Sequence, residues 1–207
     1  MLFVIDDKMV RIFAAGDFHG DKTTARHLAQ RAVDEHADMI ILNGDIVEED
    51  DTEGVMYHFV KTGKPVFLVP GNHDWFATDL LAVQYKSYNL HGKSIQNGNV
   101  GIFGCGGTNA GSNMLTEKEL YDTVKNTHEK IKNAQKKMLV THIHPAGTLM
   151  ESFSQFVKGS VGLRKAIEAT KPDIVICGHV HEAEGIEEKL GKTLVINVGK
   201  TGKLIEL

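Results

Sequence analysis

Short apolar runs alternate with longer amphipathic segments along this chain. Each run is brief, continuous and rich in β-branched or other apolar side chains, a pattern typical of strands that are buried on both faces. Glycine, proline or a polar cluster follows most of the runs, which sets their ends. The predicted strands are Val10–Ala15, Met39–Leu42, Val66–Val69, Val100–Phe103, Met138–Val140, Ile174–Ile176 and Leu194–Ile196.

The segments between these runs have the spacing of amphipathic helices. In Thr23–His36 the residues Ala25, Leu28, Ala32 and Val33 share one face, which is expected to pack on a sheet. Thr116, followed three residues later by Glu119, forms the capping-box pattern that opens a helix. Strands that alternate with helices predict a layered α/β domain. The remaining predicted helices are Glu53–Lys61, Thr116–Ala134 and Val161–Ala169.

Length and composition predict one ordinary globular domain. The chain has 207 residues, of which 42% are hydrophobic and 24% are charged. No linker or repeat divides it, so residues 1–207 are interpreted as a single domain. The formal net charge of -4 provides no overall basic field for nucleic-acid binding. No segment approaches the length of a membrane span, and a membrane partner is not expected.

The cysteines and the N-terminus favour a cytoplasmic protein. Cys105 and Cys177 lie in apolar, glycine-flanked stretches, which is typical of reduced buried thiols. A disulfide between them is the weaker interpretation, and a metal role weaker still because no Cys-x-x-Cys spacing is present. Met1–Ile5 is too short for the apolar core of a signal peptide and lacks a basic region before it.

Polar side chains with metal-binding atoms follow five of the predicted strands. Each of these loops is short and carries aspartate, asparagine or histidine. In an open α/β sheet, sites form beyond the carboxyl ends of the strands, so the five loops are expected to converge on one crevice. Their glycines allow the sharp turns that aim side chains inward. The loop residues are Asp17 and His19, Asp45, Asn72 with His73 and Asp74, His142 and His144, and His179 and His181.

The donor atoms of these loops indicate two transition-metal ions. Imidazole with carboxylate and no thiolate suits manganese, iron, zinc or nickel better than calcium, and magnesium prefers more oxygen. Seven of these side chains are candidate ligands, which is more than one tetrahedral ion needs. They fit two metal ions that share a carboxylate, typically ~3.5–4 Å apart. The seven are Asp17, His19, Asp45, Asn72, His142, His179 and His181. Because Asp17 and Asp45 neutralise only half the charge of two divalent ions, the remaining positive charge suits an anionic phosphoryl group.

Other features have a plain structural interpretation. The cluster Gly104, Gly106 and Gly107 could approach a phosphate, but a tight turn is favoured. The acidic run Glu48–Asp51 lacks the alternating spacing of a calcium loop and is interpreted as solvated. Lone histidines are more often hydrogen-bonded side chains than ligands, so no function is assigned to His27, His36, His58, His91 and His128.

Five motifs resemble those of the calcineurin-like metallophosphoesterases, in the same order and over nearly the whole chain. The glycine-rich stretch Gly104–Asn109 and the tail Gly178–Gly199 also look like small stand-alone prokaryotic members. The resemblance implies a four-layered α-β-β-α sandwich with the metal site at the C-terminal ends of the strands. The motifs are Asp17-Phe18-His19, Gly44-Asp45, Gly71-Asn72-His73-Asp74, Thr141-His142 and Gly178-His179-Val180-His181.

The resemblance also implies a role for each motif residue. Its pattern assigns Asp17, His19 and His181 to one metal ion, Asn72, His142 and His179 to the other, and Asp45 to both. A hydroxide between the metals would attack phosphorus, because two cations lower the pKa of water. His73 would contact the phosphoryl group and protonate the leaving oxygen, and His73 and Asp74 are the candidate catalytic residues.

Three positions depart from the family pattern. Glu48 stands where many relatives carry the aspartate that orients the catalytic histidine, so either Glu48 or Asp74 could orient His73. Asp74 is alternatively an N-cap. His144 stands where proline is common, and it either contacts substrate or caps its loop. Val198 replaces a common proline, with little catalytic effect expected.

The resulting hypothesis is a dinuclear metal-dependent phosphoesterase, with manganese the favoured metal and a phosphodiester favoured over a monoester. One alternative is a nuclease on single-stranded nucleic acid, for which Lys132, Lys136 and Lys137 offer a small basic cluster or merely a solvated helix end. Another is a binding scaffold on the same fold, although no ligand is missing. Substrate specificity is expected in the loops Trp75–Leu90 and Gly106–Leu115, and a homo-oligomer is left open.

Overall fold

The fold is known from a computed structural model that describes residues 9–48, 54–112 and 114–207, with the backbone alone at residues 75 and 76. These residues form five helices of the α type and eleven strands, and two short 3-10 helices lie at Leu149–Phe153 and His181–Ala183. The helices are α1 Lys22–Asp34, α2 Val55–Val60, α3 Trp75–Gln84, α4 Glu117–Glu129 and α5 Val161–Thr170. The strands are β1 Arg11–Ala15, β2 Met39–Leu42, β3 Val66–Leu68, β4 Tyr88–Asn89, β5 Ser94–Asn97, β6 Val100–Cys105, β7 Lys136–Thr141, β8 Ile174–Cys177, β9 Glu187–Leu190, β10 Thr193–Asn197 and β11 Lys203–Glu206.

The strands form two sheets that pack face to face. One sheet has the order β11-β1-β2-β3-β4, and the other has the order β5-β6-β7-β8-β10-β9. Neighbours β1, β2 and β3 are parallel, as are β6, β7, β8 and β10, so helices or loops must return the chain between them. Parallel pairing brings the carboxyl ends of these strands to one edge of each sheet, where the polar loops begin.

Alternation along the strands builds four layers. Ile12 and Ala14 of β1 face the core between the sheets, whereas Phe13 and Ala15 face the helices on the outer side. The outer face of the first sheet packs against α1 and α2, and that of the second packs against α4 and α5. This confirms the predicted α-β-β-α sandwich, in which both faces of each sheet are buried.

All seven predicted strands are present, with ends that differ by at most two residues. The four predicted helices are present too, and the capping box at Thr116 and Glu119 opens α4 as predicted. That helix ends at Glu129 rather than Ala134, because a turn follows it. Val33 was predicted to be buried but is 38% exposed, since the packed stripe of α1 is narrower than its apolar pattern.

The segment Trp75–Leu90 was predicted to be a loop, and this was wrong. It contains helix α3 and the two-residue strand β4. The helix was missed because the apolar residues of α3 lack a clean helical period. Strands β5, β9 and β11 were also missed, because their mixed polar composition reflects positions at or near sheet edges. The predicted helix start at Glu53 and the acidic residues 49–51 lie outside the described residues.

Two further predictions can be compared with the structure. Cys105 and Cys177 are both buried free thiols, as expected. No helix among the described residues is both long and apolar enough to cross a lipid bilayer. The single-domain interpretation of residues 1–207 stays a prediction.

Candidate metal centre

Backbone hydrogen bonds tie the polar loops to one another. The loop after β1 is bound to the loop after β2, because the Asp17 amide donates to the Gly44 carbonyl at 3.0 Å and the His19 amide to the Asp45 carbonyl at 2.9 Å. In the second sheet the Gly178 amide donates to the His142 carbonyl at 2.8 Å. These bonds hold neighbouring loops of each sheet together beyond the strand ends.

Four of the predicted ligands have a left-handed backbone. Their φ angles are 56° at Asp17, 44° at His19, 48° at Asp45 and 70° at His179. Residues other than glycine rarely adopt this region, and each instance costs on the order of 1 kcal/mol or more. Such strain is maintained only where the surrounding structure demands it, and it clusters at functional sites. Here it turns the side chains toward the crevice.

The first group of donor atoms contains Asp17, His19 and His181. The Nε2 atoms of His19 and His181 lie 3.2 Å apart, and the His181 Nε2 is 3.9 Å from the Asp17 Oδ1. The Asp45 Oδ2 lies 3.7 Å from the His19 Nε2, at the edge of this group. Two imidazole nitrogens and two carboxylates that face one another form a donor set suited to a cation.

The second group is built around His142. Its Nε2 lies 3.3 Å from the Asp45 Oδ2 and 3.3 Å from the Asn72 Oδ1. The rings of His142 and His179 have centroids 5.0 Å apart, and donor atoms of Asp45, His142 and His179 all lie within 4.8 Å of one another. The structure therefore brings all seven predicted ligands together, with Asp45 in contact with both groups.

The electrostatics of the pocket call for a cation. The carboxylates of Asp17 and Asp45 are almost fully buried, and burial raises the pKa of Asp17 despite the nearby His142. Burial alone would lower the pKa of His142, but the Asp45 carboxylate and then Asp17 outweigh it and raise that pKa to about 9. A proton on His142 thus supplies positive charge that balances the buried carboxylates. A metal ion in the pocket would balance them in the same way.

Two histidines of the second group can bind a metal ion as neutral ligands, His179 as it stands and His142 once the metal ion replaces one of its two ring protons. The His142 Nδ1 lies 3.0 Å from the Asn43 carbonyl, so a proton on Nδ1 leaves the Nε2 lone pair free for a metal ion. Burial, followed by repulsion from His142, lowers the pKa of His179 to about 3. Asn43 was not predicted from the sequence because it acts through its backbone, and only its place before Gly44 marks it.

The raised pKa of His142 predicts a pH-dependent stability of the metal-free protein. A folded pKa of about 9, above the ordinary 6.5, stabilises the fold fully below pH 6.5 and loses that effect as the pH rises through 9. Chelated protein should lose about 2 kcal/mol of unfolding free energy between pH 6.5 and 9, as measured by urea denaturation. Saturating metal or the His142→Asn variant should flatten this slope, and an unchanged slope in that variant would contradict the assignment.

Glu48, and not Asp74, contacts the ring of His73. The Glu48 Oε2 lies 3.1 Å from the His73 Nδ1. Both Asp74 oxygens instead accept backbone hydrogen bonds, from the Ile46 amide at 2.7 Å and the Gly71 amide at 2.6 Å. Asp74 occupies the N-cap position of α3, but its side chain makes no capping bond. It therefore joins two of the loops, and burial raises its pKa to about 6.

His144 lies in the interior of the protein. The residue is fully buried, and neither ring nitrogen has a hydrogen-bond partner among the described residues. Burial lowers its pKa to about 4, so the ring is neutral. Its backbone carbonyl accepts a hydrogen bond from the Ser160 amide at 2.9 Å, but the ring itself makes no hydrogen bond to its loop among the described residues.

Several glycines are needed for space as well as for turning. A Cβ at Gly178 would lie 2.3 Å from the Asp17 Oδ2, although the backbone there is not left-handed. A Cβ at Gly44 would lie 2.5 Å from the His142 Nδ1. The ligands therefore pack directly on these glycines, and the expected sharp turn is only part of the reason for them.

The glycine cluster and the lysine cluster both make ordinary contacts within the protein. The Gly106 amide donates to the His91 Nδ1 at 3.1 Å, and the Gly107 amide donates to the Pro70 carbonyl at 2.7 Å. These amides already have protein acceptors, which agrees with the interpretation as a turn. Lys132 pairs with Glu129, and Lys136 lies 3.6 Å from Asp173. The small lysine cluster is thus partly neutralised.

Comparison with known proteins identifies a family and a fold. A family model described as calcineurin-like phosphoesterase matches residues 10–183. The crystal structure of TT1561 from Thermus thermophilus superimposes with a TM-score of 0.74 at 18% identity, over 93% of this chain and 90% of that one. A dimetal phosphatase from Danio rerio gives 0.62 at 11% identity, over 90% and 86%.

A third solved structure, described as a novel archaeal phosphodiesterase, gives a TM-score of 0.55 at 18% identity and covers 96% of this chain and all of that one (100%). At these identities the three structures establish a shared fold and leave the substrate undetermined. No curated protein matches the sequence.

Proposed function

Because this chain belongs to the calcineurin-like phosphoesterase family, we propose that it hydrolyses a phosphoester with the help of two divalent metal ions. The proposed assignment follows the two groups of donor atoms, with Asp45 shared between them. One ion would be held by Asp17, His19 and His181, the other by Asn72, His142 and His179, and both by Asp45.

The position of the Asp45 Oδ2 carries this proposal. It lies 3.7 Å from the His19 Nε2 and 3.3 Å from the His142 Nε2, so one buried oxygen faces an imidazole of each group. A carboxylate placed in this way is suited to two cations at once. A single structural ion would need only one of the two groups.

The residues around the pocket divide the chemical work. When bound, two divalent cations supply the positive charge that activates water and stabilises the charged phosphoryl group. The Nδ1–H of His73 would donate a hydrogen bond to the Glu48 carboxylate, which leaves Nε2 as the nitrogen that passes a proton to the leaving oxygen. The His73 amide also bonds to the Asp45 Oδ1 at 3.0 Å, which holds the proton donor beside the shared ligand.

A phosphodiester and manganese are the preferred substrate class and metal within this proposal. One structural neighbour is described as a phosphodiesterase and another as a dimetal phosphatase, so both ester classes occur on the fold. The donor set of nitrogen and oxygen suits manganese, with iron, zinc or nickel as alternatives. The substrate would be a small-molecule or nucleotide phosphoester. Location in the cytoplasm and assembly into a homo-oligomer stay predictions.

The proposal is tested with one preparation of purified protein, loaded with manganese and analysed for its metal content. We expect about two ions per chain and cleavage of bis(p-nitrophenyl) phosphate faster than of p-nitrophenyl phosphate. The same protein treated with a chelator serves as the control and should be inactive. Failure to cleave either ester with metal bound would overturn the proposal, whereas faster monoester cleavage would overturn only the diester preference.

A further inference from the structure

One carboxylate, that of Glu48, contacts two histidines that have different assignments. Its Oε1 lies 2.7 Å from the Nδ1 of His19, and its Oε2 lies 3.1 Å from the Nδ1 of His73. The two rings are 4.8 Å apart, edge to face at 83°. His19 belongs to the first donor group, and His73 is the candidate proton donor.

The sheet order explains how a single side chain reaches both rings. Strand β2 lies between β1 and β3. Glu48 follows β2, while His19 follows β1 and His73 follows β3, so the glutamate starts from the middle of the three loops. Its two oxygens face opposite neighbours in the sheet.

A carboxylate is a pure acceptor when ionised, so it selects one tautomer in both rings. Each histidine then carries its proton on Nδ1 and leaves Nε2 without one. For His19 this directs the Nε2 lone pair toward the His181 Nε2 and the Asp45 Oδ2. For His73 the same hydrogen bond leaves Nε2 as the nitrogen that takes a proton from water and then passes it to the leaving oxygen.

We propose that Glu48, which stands where many relatives carry the residue that orients the catalytic histidine, also orients the metal ligand His19, so that one carboxylate positions both His19 and His73. The His73 half of this inference rests on the proposed function, whereas the His19 half concerns metal affinity alone. The same three residues could instead bind a third cation, because their donor atoms lie within 4.8 Å of one another.

The isosteric variant Glu48→Gln separates these possibilities, because an amide has one acceptor oxygen where the carboxylate has two. Manganese affinity measured by calorimetry without substrate should fall about 10- to 100-fold, as is typical when a partner behind a ligand is removed. His73→Ala should leave this affinity within about twofold of the wild type, because the bond from Glu48 to His19 remains. Unchanged affinity in Glu48→Gln would overturn the His19 half, whether or not the protein proves to be an esterase.

Kinetics test the His73 half. Glu48→Gln and His73→Ala, both assayed at saturating manganese, should each lower kcat with little change in KM. The double variant should have the kcat of His73→Ala, since Glu48 acts on catalysis through that ring. Multiplicative losses would overturn this half. Glu129→Gln, which removes an exposed charge that pairs with Lys132, is the matched control and should match wild type throughout.

The stoichiometry of the same calorimetric titration tests the competing hypothesis. Wild type should bind two equivalents of manganese. A third equivalent that is lost in Glu48→Gln would show that Glu48 is a ligand, and it would overturn the positioning role. Circular dichroism of each variant establishes that the fold is intact before affinities are compared.

Discussion

Replacing Asp45 by asparagine should lower kcat/KM for phosphoester cleavage by at least about 10³-fold and remove tightly bound metal. The amide keeps the shape of the side chain but loses the negative charge that faces both donor groups, at 3.7 Å from the His19 Nε2 and 3.3 Å from the His142 Nε2. In metal-dependent hydrolysis, bound cations supply several kcal/mol of transition-state stabilisation, and each 1.36 kcal/mol is worth about tenfold in rate. Steady-state kinetics and elemental analysis of one preparation measure both effects.

The same substitution should lower the pKa of His142. Without the Asp45 charge, the pKa of His142 should fall from about 9 toward its ordinary value, because Asp45 is the group that raises it most. Asp122→Asn, which removes an exposed carboxylate paired with Lys118, is the matched control and should keep wild-type activity and metal content. Full activity of Asp45→Asn with two bound metals would rule out the shared-ligand assignment.

Adding one methyl group at Gly71 should disable the site nearly as thoroughly. A Cβ there would lie 2.1 Å from the Asp45 Oδ1 and 2.5 Å from the Asp45 amide nitrogen, so the carboxylate must move. The backbone of Gly71 is not left-handed, which means that the effect of Gly71→Ala is one of space alone. We expect metal affinity to fall at least about 100-fold, at the upper end of the effects seen when the support of a ligand is lost.

Overpacking by itself must be distinguished from loss of the ligand. Gly101 in β6 offers the comparison, because its added Cβ would lie 2.9 Å from the Cβ of Ala134, which lies between α4 and β7. Both alanine variants should lose about 1–3 kcal/mol of unfolding free energy, but only Gly71→Ala should lose metal affinity. Thermal unfolding and metal titration of the two proteins provide the test, and equal loss of affinity in both would contradict it.

The order of apolar runs and polar loops was sufficient to predict the α/β class, the core strands and the residues at their carboxyl ends. This succeeded because burial on both faces requires continuous apolar strands such as Met39–Leu42, and because polar side chains that follow parallel strands gather at one edge of the sheet. Helix α3 and the edge strands were missed, because their patterns are weak and tertiary packing alone stabilises them.

The sequence by itself determined which residue types are available for a metal centre: the aspartates, the asparagine and the histidines after five strands. Only the tertiary structure decided how they are used. In the folded protein Asp17, Asp45 and His179 adopt left-handed backbone conformations. Glu48 lies between two histidines, and the Asp74 carboxylate accepts hydrogen bonds from backbone amides. The physical reason is that strand order and loop packing set the distances between residues remote in sequence, and neither can be read from the spacing of residues along one chain.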